Sequence, residues 1–213
     1  MFKFAAQMSL AITTPGMNRM YANEIQLAEV AGWRALLTEA QHVARVYLAP
    51  GVEDYLLRLL YQAVGQAVGQ AGDNIGTDAQ ALVERMARWR ATATHELLAV
   101  GDESLIFAGL FPEQAIRKGI PITYFVQVGV NAYREFAATQ REAAGITYTT
   151  LANQFVDLLD VLHTLRELQQ DTPCIDPLNA YQLWHEVGSS HAWQVLRQFT
   201  SASPSLHPTN ARH

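Results

Sequence analysis

Acidic residues and histidines stand at short, chemically suggestive spacings in the C-terminal part of the chain. Asp160 and His163 are three residues apart, which is the spacing that Glu-x-x-His motifs use in di-iron bundles. Those sites need two such motifs and two further glutamates, and this sequence offers a single Asp-x-x-His. On a helical wheel the pair lies with Asp157 and Glu167, opposite a seam of leucines. We therefore predict a solvated polar face here.

A second pair, His185 and His191, lies in the aromatic segment LWHEVGSSHAW. Neutral imidazoles are good ligands for zinc or iron. On one continuous helix, six residues correspond to about 600°, so the two rings would point roughly 120° apart. A break at Gly188 would bring them together. Because only two ligands are visible, we predict ordinary packing with no metal and no cofactor, and His185 and His191 remain the first candidates should a metal be found.

The one cysteine, Cys174, lies in the segment QDTPCID between Asp171 and Asp176. Neighbouring carboxylates raise the pKa of a thiol, whereas a nucleophilic cysteine needs a lowered pKa, so we predict an inert thiol. One cysteine excludes an intramolecular disulfide and a cysteine-based zinc site, and it favours a reducing compartment, the cytoplasm. The P-loop, Rossmann, His-Glu-x-x-His and Gly-x-Ser-x-Gly fingerprints are absent from the sequence, so no catalytic residue is predicted.

Three polar residues, Tyr124, Gln127 and Asn131, are the best candidates for contact with a ligand. They follow each other at spacings of three and four on a helix that is otherwise largely apolar. A buried amide needs partners, and leaving one unpaired costs about 1–3 kcal/mol. Three interpretations remain open: hydrogen bonds to neighbouring helix ends, the polar edge of a pocket, or simple exposure to solvent.

The composition excludes two classes of partner. The 213 residues carry a net charge of −5, and lysine occurs only at Lys3 and Lys118, so the basic stripe that nucleic-acid binding requires is missing. The longest apolar stretch, Gly119 to Val130, is interrupted by Thr123 and Gln127 and is shorter than the roughly 18–20 residues of a membrane span. The first residues lack a convincing cleavage site, so we predict no signal peptide.

Helices must position these residues, because apolar residues recur every three or four positions along most of the chain. We predict helices at about 23–48, 52–70, 77–101, 122–140, 149–170 and 177–199, the last divided near Gly188. A helix-ending Gly101 opens a connector of short turns that runs to Gly119, and Gly145 breaks the helix that begins near residue 122. No segment alternates like a strand, so we predict an all-α fold, an irregular or orthogonal bundle of about five to seven helices. Residues 1–200 would form one helical domain with 1–22 as a candidate arm, and 201–213 a disordered tail.

The segment GDESLIFAGLFPE, followed by YFVQVGVNAY, gives the one resemblance to known proteins. It lies between Gly101 and Tyr133 and resembles a pattern in uncharacterised helical proteins of bacteria that are of about this length. The resemblance implies a bacterial origin and an all-helical fold. It implies no activity, and no functional residue can be carried over from it.

Our leading hypothesis for function is therefore a non-enzymatic helical protein that acts through self-association or an unidentified protein partner. The alternative is a binder or enzyme for a small apolar molecule, with a cavity near Tyr124, Gln127 and Asn131. Gly65 and Gly69 fall on one helix stripe and permit close contact with another helix. We expect a homodimer formed through the C-terminal helix, where Trp184, Trp193 or Val195 can remain outside the core.

Overall fold

The computed structural model describes residues 19–69, 94–170 and 173–199, which form nine helices and no strand. The helices are α1 (Arg19–Ala44), α2 (Pro50–Gly69), α3 (Thr94–Leu110), α4 (Pro112–Arg117), α5 (Ile122–Thr139), α6 (Glu142–Asn153), α7 (Phe155–Gln170), α8 (Pro177–Val187) and α9 (Ser190–Phe199). The all-α prediction is confirmed, and the helices outnumber the five to seven predicted. Four residues of the predicted arm, 19–22, belong to α1. The rest of the arm (1–18), most of the predicted helix at 77–101, the surroundings of Gly65 and Gly69, and the predicted tail lie outside the described residues.

Three helices, α3, α5 and α7, form the centre of the bundle. α3 packs most extensively on α5, where the rings of Phe107 and Phe125 lie 4.8 Å apart between centroids. α7 contacts α3 on one side and α1 on another, and α9 also packs on it. The leucine seam of α7, which includes Leu158 and Leu162, is fully buried. Because α7 has neighbours around much of its circumference, its polar residues are also drawn into the interior.

α3 runs without interruption from Thr94 to Leu110, so the prediction that Gly101 ends a helix is wrong. A Cβ atom at Gly101 would lie 2.6 Å from Cε1 of Tyr133. The glycine therefore permits the close approach of the Tyr133 ring from α5. Of the predicted connector of short turns, only α4 is a separate short helix.

The boundary between α6 and α7 falls at Gln154, whereas the sequence predicts one helix over 149–170 and a break at Gly145. Both of those predictions are wrong, since α6 continues through Gly145. The side-chain amide of Gln154 accepts a hydrogen bond from the backbone N–H of Ala49 (3.2 Å) and donates one to the carbonyl of Tyr47 (3.3 Å). The connection between α1 and α2 is thereby fastened to the α6–α7 corner. The apolar spacing continues across the corner, so the pattern alone could not reveal it.

The C-terminal hairpin of α8 and α9 is the part that the sequence predicts best. Asp176 caps α8 by accepting hydrogen bonds from the backbone N–H groups of Leu178 (2.9 Å) and Asn179 (3.1 Å), and Pro177 occupies the first helical position. Gly188 ends α8 with φ at 78°, a left-handed conformation that glycine adopts without steric cost. The predicted division at Gly188 is confirmed.

Candidate functional site

A buried carboxylate, Asp160 of α7, joins α7 to the first turn of α9. Its side chain is only 1% exposed. Oδ1 accepts a hydrogen bond from Ser189 Oγ (2.5 Å), and Oδ2 accepts from the Ser190 N–H (2.8 Å), the Ser190 Oγ (2.9 Å) and the His191 N–H (3.1 Å). Ser189 Oγ in turn accepts from the Ala192 N–H. Backbone N–H groups at a helix start have no partner within the helix, and negative charge is favourable there. Asp160 is therefore a helix cap that is supplied by another helix.

Two buried histidines face each other beside this cap. The ring centroids of His163 on α7 and His191 on α9 are 5.4 Å apart. His163 Nε2 lies 3.0 Å from the carbonyl oxygen of Ala108 on α3, and His191 Nε2 lies 2.9 Å from Oε2 of Glu167. The carbonyl oxygen can only accept, so the Nε2 of His163 carries the proton. Burial, with the charge of His191 as the next cause, lowers the pKa of His163 to about 3, and His163 is therefore neutral at neutral pH.

Glu167 ties this histidine pair to the loop before α8. Its Oε1 accepts a hydrogen bond from the Cys174 N–H at 2.9 Å. Burial raises the pKa of the Glu167 carboxyl, but the hydrogen bond from His191 and the charge of His191 outweigh it, so the pKa lies below its usual value. Burial and then the charge of Glu167 raise the pKa of the Cys174 thiol. That is the direction expected of an inert thiol.

The polar residues on this side of α7 are buried, so the prediction of a solvated face is wrong. Asp160, His163 and Thr164 all belong to the interior, and Asp157 and Glu167 are half-buried. α3 and α9 cover this side of α7. A helical wheel contains no information about neighbouring helices and therefore assigns such residues to solvent.

Most polar side-chain atoms of this cluster form structural bonds, whereas the Nδ1 atoms of His163 and His191 are buried without a hydrogen-bond partner. Ser189 donates its proton to Asp160 rather than to an imidazole, so it lacks the adjacent base that activates a nucleophilic serine. Both imidazole Nε2 atoms are engaged, by Ala108 and by Glu167. In the part of the chain that the structure describes, no group of three or more His, Cys, Asp or Glu side chains is arranged to hold a metal ion.

The two histidines singled out in the sequence lie in different surroundings. His191 is buried beside His163, whereas His185 is exposed and stacks on Tyr181 with ring centroids 5.5 Å apart. The break at Gly188 thus brings His191 to His163. His163, which the sequence assigned to a solvated face, is the histidine that His191 meets.

A surface of aromatic and apolar residues lies on the outside of the α8–α9 hairpin. We call it the α8–α9 aromatic surface, and it consists of Leu178, Tyr181, Trp184, His185 and Trp193. Leu178 and Tyr181 are 69% and 46% exposed. The half-buried rings of Trp184 and Trp193 are stacked, with centroids 5.2 Å apart and planes 28° apart. Val195, the third residue considered for a place outside the core, is only 2% exposed, because it lies on the inner face of α9.

The predicted ligand trio lies along one side of α5. Gln127 and Asn131 are exposed, and Tyr124 is half-buried with its ring edge-on to Phe125 at 5.7 Å. Two of the three residues therefore fit the third interpretation, exposure to solvent. Their amides are hydrated at the surface and need no partner inside the core.

A second carboxylate, Asp102 of α3, accepts hydrogen bonds from two tyrosines. The hydroxyls of Tyr55 on α2 and Tyr133 on α5 both donate to its Oδ1, at 2.6 Å and 2.7 Å. The ring of Tyr148 on α6 stands perpendicular to that of Tyr55, with centroids 6.2 Å apart. Burial raises the pKa of Asp102, and the two hydrogen bonds oppose that effect. The pKa of each of the two donating tyrosines is raised, by burial first and by the charge of Asp102 next.

Sequence reasoning missed both carboxylate clusters. For Asp160, one signal exists: Ser189 and Ser190 directly after a helix-ending glycine are typical of the first residues of a new helix. That signal locates the start of α9, but it does not identify a capping partner 30 residues away. The residues Tyr55, Asp102 and Tyr133 come from three different helices, and no local spacing connects them.

None of the helices in the described ranges is long and apolar enough to cross a membrane. Comparison with protein families, with curated proteins and with solved structures finds no match to this chain.

Proposed function

We propose that this protein is a non-enzymatic helical protein that associates with a second copy of itself through the α8–α9 aromatic surface. The observation that carries the proposal is the stacked pair of Trp184 and Trp193 beside the exposed side chains of Leu178 and Tyr181. Tryptophan and tyrosine are enriched at the centres of protein interfaces, where they contribute a large share of the binding energy. A contiguous aromatic surface on a helical hairpin has the composition that such centres require.

The charge of this surface favours a second copy of the chain as its partner. In a two-fold symmetric interface, each residue near the axis lies close to its own copy, so any charge there faces a like charge. The whole chain carries a net charge of −5. Four of the five residues in this surface, Leu178, Tyr181, Trp184 and Trp193, carry no charge, so they can meet their own copies without that repulsion.

The attachment of the hairpin to the bundle also supports the proposal. Asp160 bonds the first turn of α9, and Glu167 bonds both His191 and the backbone before α8. These bonds fix the aromatic surface before a partner arrives. A preorganised surface loses less conformational entropy on binding, and association is correspondingly tighter.

The non-enzymatic part of the proposal rests on how the reactive groups are used. Ser189 is bonded to Asp160, the Nε2 of His163 is bonded to a backbone carbonyl, and burial raises the pKa of the Cys174 thiol. These three groups are thus occupied or deactivated by the fold itself.

Light scattering coupled to size-exclusion chromatography tests the proposal at micromolar concentration. We expect the wild-type chain to elute at twice its monomer mass of 23.6 kDa. Leu178→Glu should return the monomer mass, because it places a charge opposite its own copy. Ile146→Glu on α6 is the matched control, since Ile146 is 67% exposed against 69% for Leu178 and lies outside the aromatic surface.

Two results would contradict the proposal. A wild-type chain that elutes as a monomer would rule out the association itself. A dimer that Leu178→Glu and Ile146→Glu affect equally would rule out the α8–α9 aromatic surface as its interface. Far-UV circular dichroism of both variants confirms that any change in mass arises from folded protein.

A further inference from the structure

The cluster around Asp102 combines a carboxylate with aromatic rings from three helices. Tyr55 comes from α2, Tyr133 and Phe136 from α5, and Tyr148 from α6. The ring centroids of Tyr55 and Tyr133 are 6.4 Å apart, and those of Phe136 and Tyr148 are 4.6 Å apart. Each of these pairs, like Tyr55 with Tyr148, is within a few degrees of perpendicular. Perpendicular rings form a corner in which a bound group touches the face of one ring and the edge of another.

The two tyrosine hydroxyls stabilise the ionised form of Asp102, because both donate to its carboxylate. They donate to Oδ1 at 2.6 Å and 2.7 Å, and O–H···O⁻ bonds to a charged carboxylate typically measure about 2.5–2.7 Å. Both hydroxyls use the same oxygen, and within the described ranges no protein donor is bonded to Oδ2. In this part of the chain, Oδ2 therefore keeps its capacity to attract a positively charged group.

Among the residues that the structure describes, no cationic side chain forms an ion pair with Asp102. A partly buried charge without a counter-ion is costly, and a cation that arrives there gains from the low local dielectric. Asp102, Tyr55 and Tyr148 are all half-buried rather than sealed in the core, so the cluster is open to a ligand on their side.

The Tyr55 ring already has one cationic neighbour. The guanidinium carbon of Arg58 lies 5.8 Å from the centroid of the Tyr55 ring, within the range of a cation–π contact. Arg58 is one helical turn from Tyr55 and makes no ion pair with Asp102. It therefore occupies one side of Tyr55 and leaves the carboxylate available.

From these observations, we propose that Asp102, Tyr55 and Tyr148 form a binding site for an organic cation that carries a substituted ammonium group. The ammonium would lie against Oδ2 of Asp102, and its alkyl groups would contact the perpendicular rings of Tyr55 and Tyr148. Tyr133 would act as a positioning residue, since it holds Oδ1 from the buried side. Carboxylate and aromatic faces together are the groups that recognise quaternary ammonium ligands.

Choline and its uncharged carbon isostere, 3,3-dimethyl-1-butanol, provide a matched pair of probes. They have nearly the same shape, so any difference in affinity reports the charge. Isothermal titration calorimetry with the full chain should show choline binding at least about tenfold tighter than the alcohol, because only choline gains from the carboxylate and the ring faces. Equal affinity for the two probes, or no binding of choline, would overturn the proposal.

Variants locate the site. Asp102→Asn keeps the shape and the hydrogen-bond acceptor but removes the charge, so choline should bind at least about tenfold more weakly while the alcohol is unaffected. Tyr148→Leu tests the ring without touching the carboxylate, and it keeps the proposal testable if Asp102→Asn does not fold. Tyr148→Leu should weaken choline binding, and Tyr148→Phe, which keeps an aromatic face, should retain it. Choline binding that survives both Asp102→Asn and Tyr148→Leu would place the cation elsewhere and refute the site.

Discussion

Replacement of Asp160 by asparagine tests the idea that one buried carboxylate holds the C-terminal hairpin to the bundle. The change keeps the size of the side chain and removes its charge. Three of the four hydrogen bonds fall on Oδ2, and two of those come from the backbone of Ser190 and His191. Bonds to a charged group contribute about 1.5–3 kcal/mol and neutral bonds about 0.5–1.5 kcal/mol, so each of the two backbone bonds should weaken by about 1 kcal/mol.

Loss of the negative charge at the start of α9 adds about 0.3–1 kcal/mol from the helix dipole. We therefore expect Asp160→Asn to lower the free energy of unfolding by about 2–3 kcal/mol. Urea unfolding followed by circular dichroism at neutral pH measures this change directly.

Asp157→Asn is the matched control, because Asp157 lies three residues earlier on the same helix. Burial and then the charge of Asp160 raise the pKa of Asp157, so its ionised form is disfavoured by the fold. Its neutral replacement should therefore cost no stability. The reasoning fails if Asp160→Asn stays within about 0.5 kcal/mol of the wild-type value, the range of ordinary surface substitutions, or if Asp157→Asn is equally destabilising.

Three further predictions concern other parts of the fold. The pKa of His163 is near 6.5 in the unfolded chain and about 3 in the folded chain, so its contribution to stability is complete above pH 6.5 and falls by about 2 kcal/mol by pH 5. His163→Gln should therefore reduce the loss of unfolding free energy, measured with urea, between pH 8 and pH 5, and an unchanged pH dependence would refute this. Gly109→Ala would place a Cβ 2.8 Å from Cβ of Leu162, and this overpacking should lower the free energy of unfolding by about 1–3 kcal/mol and with it the melting temperature. Gly51→Ala is the control, because a Cβ there has no atom within 4 Å and should not lower the melting temperature. The fold raises the pKa of the Cys174 thiol, so Cys174 should react with iodoacetamide at pH 8 at least about tenfold more slowly in the folded chain than in urea. Equal rates would show that the thiol is neither buried nor deactivated.

The sequence predicts the helical class and the C-terminal hairpin because both depend on local signals. Apolar spacing of three and four identifies helices one at a time, and Asp176-Pro177 with Gly188 marks the two ends of α8. Helix boundaries that depend on neighbouring helices are beyond such signals. Gly101 lies inside α3, where a larger side chain would clash with the ring of Tyr133. The chain turns at Gln154, where the Gln154 side chain forms hydrogen bonds with the α1–α2 connection.

The clusters around Asp160 and Asp102 were less predictable, because they too depend on contacts between helices. The sequence predicts that Asp160 and His163 face solvent, because the helical wheel of α7 shows one leucine seam and one polar face. That polar face is buried by α3 and α9. The capping donors of Asp160 are 30 residues downstream, and Asp102 depends on Tyr55 and Tyr133, which are 47 and 31 residues away. Pairings at these distances along the chain are set by the packing of whole helices.

The residues that donate hydrogen bonds to Asp160 follow α7 in the chain, at and just before the start of α9, and this order affects how the protein folds during translation. A ribosome makes α7 before α9, so the growing chain holds Asp160 and His163 for some time without Ser189, Ser190 and His191. A bundle that closed at that stage would contain a carboxylate with no donor, which is a costly state in a protein interior. We therefore expect the side of α7 that bears Asp160 to stay hydrated until α9 has been made, so that native packing there is completed after α9 emerges. A chain shortened at Gly188 should in turn accumulate as a partly folded, protease-sensitive species.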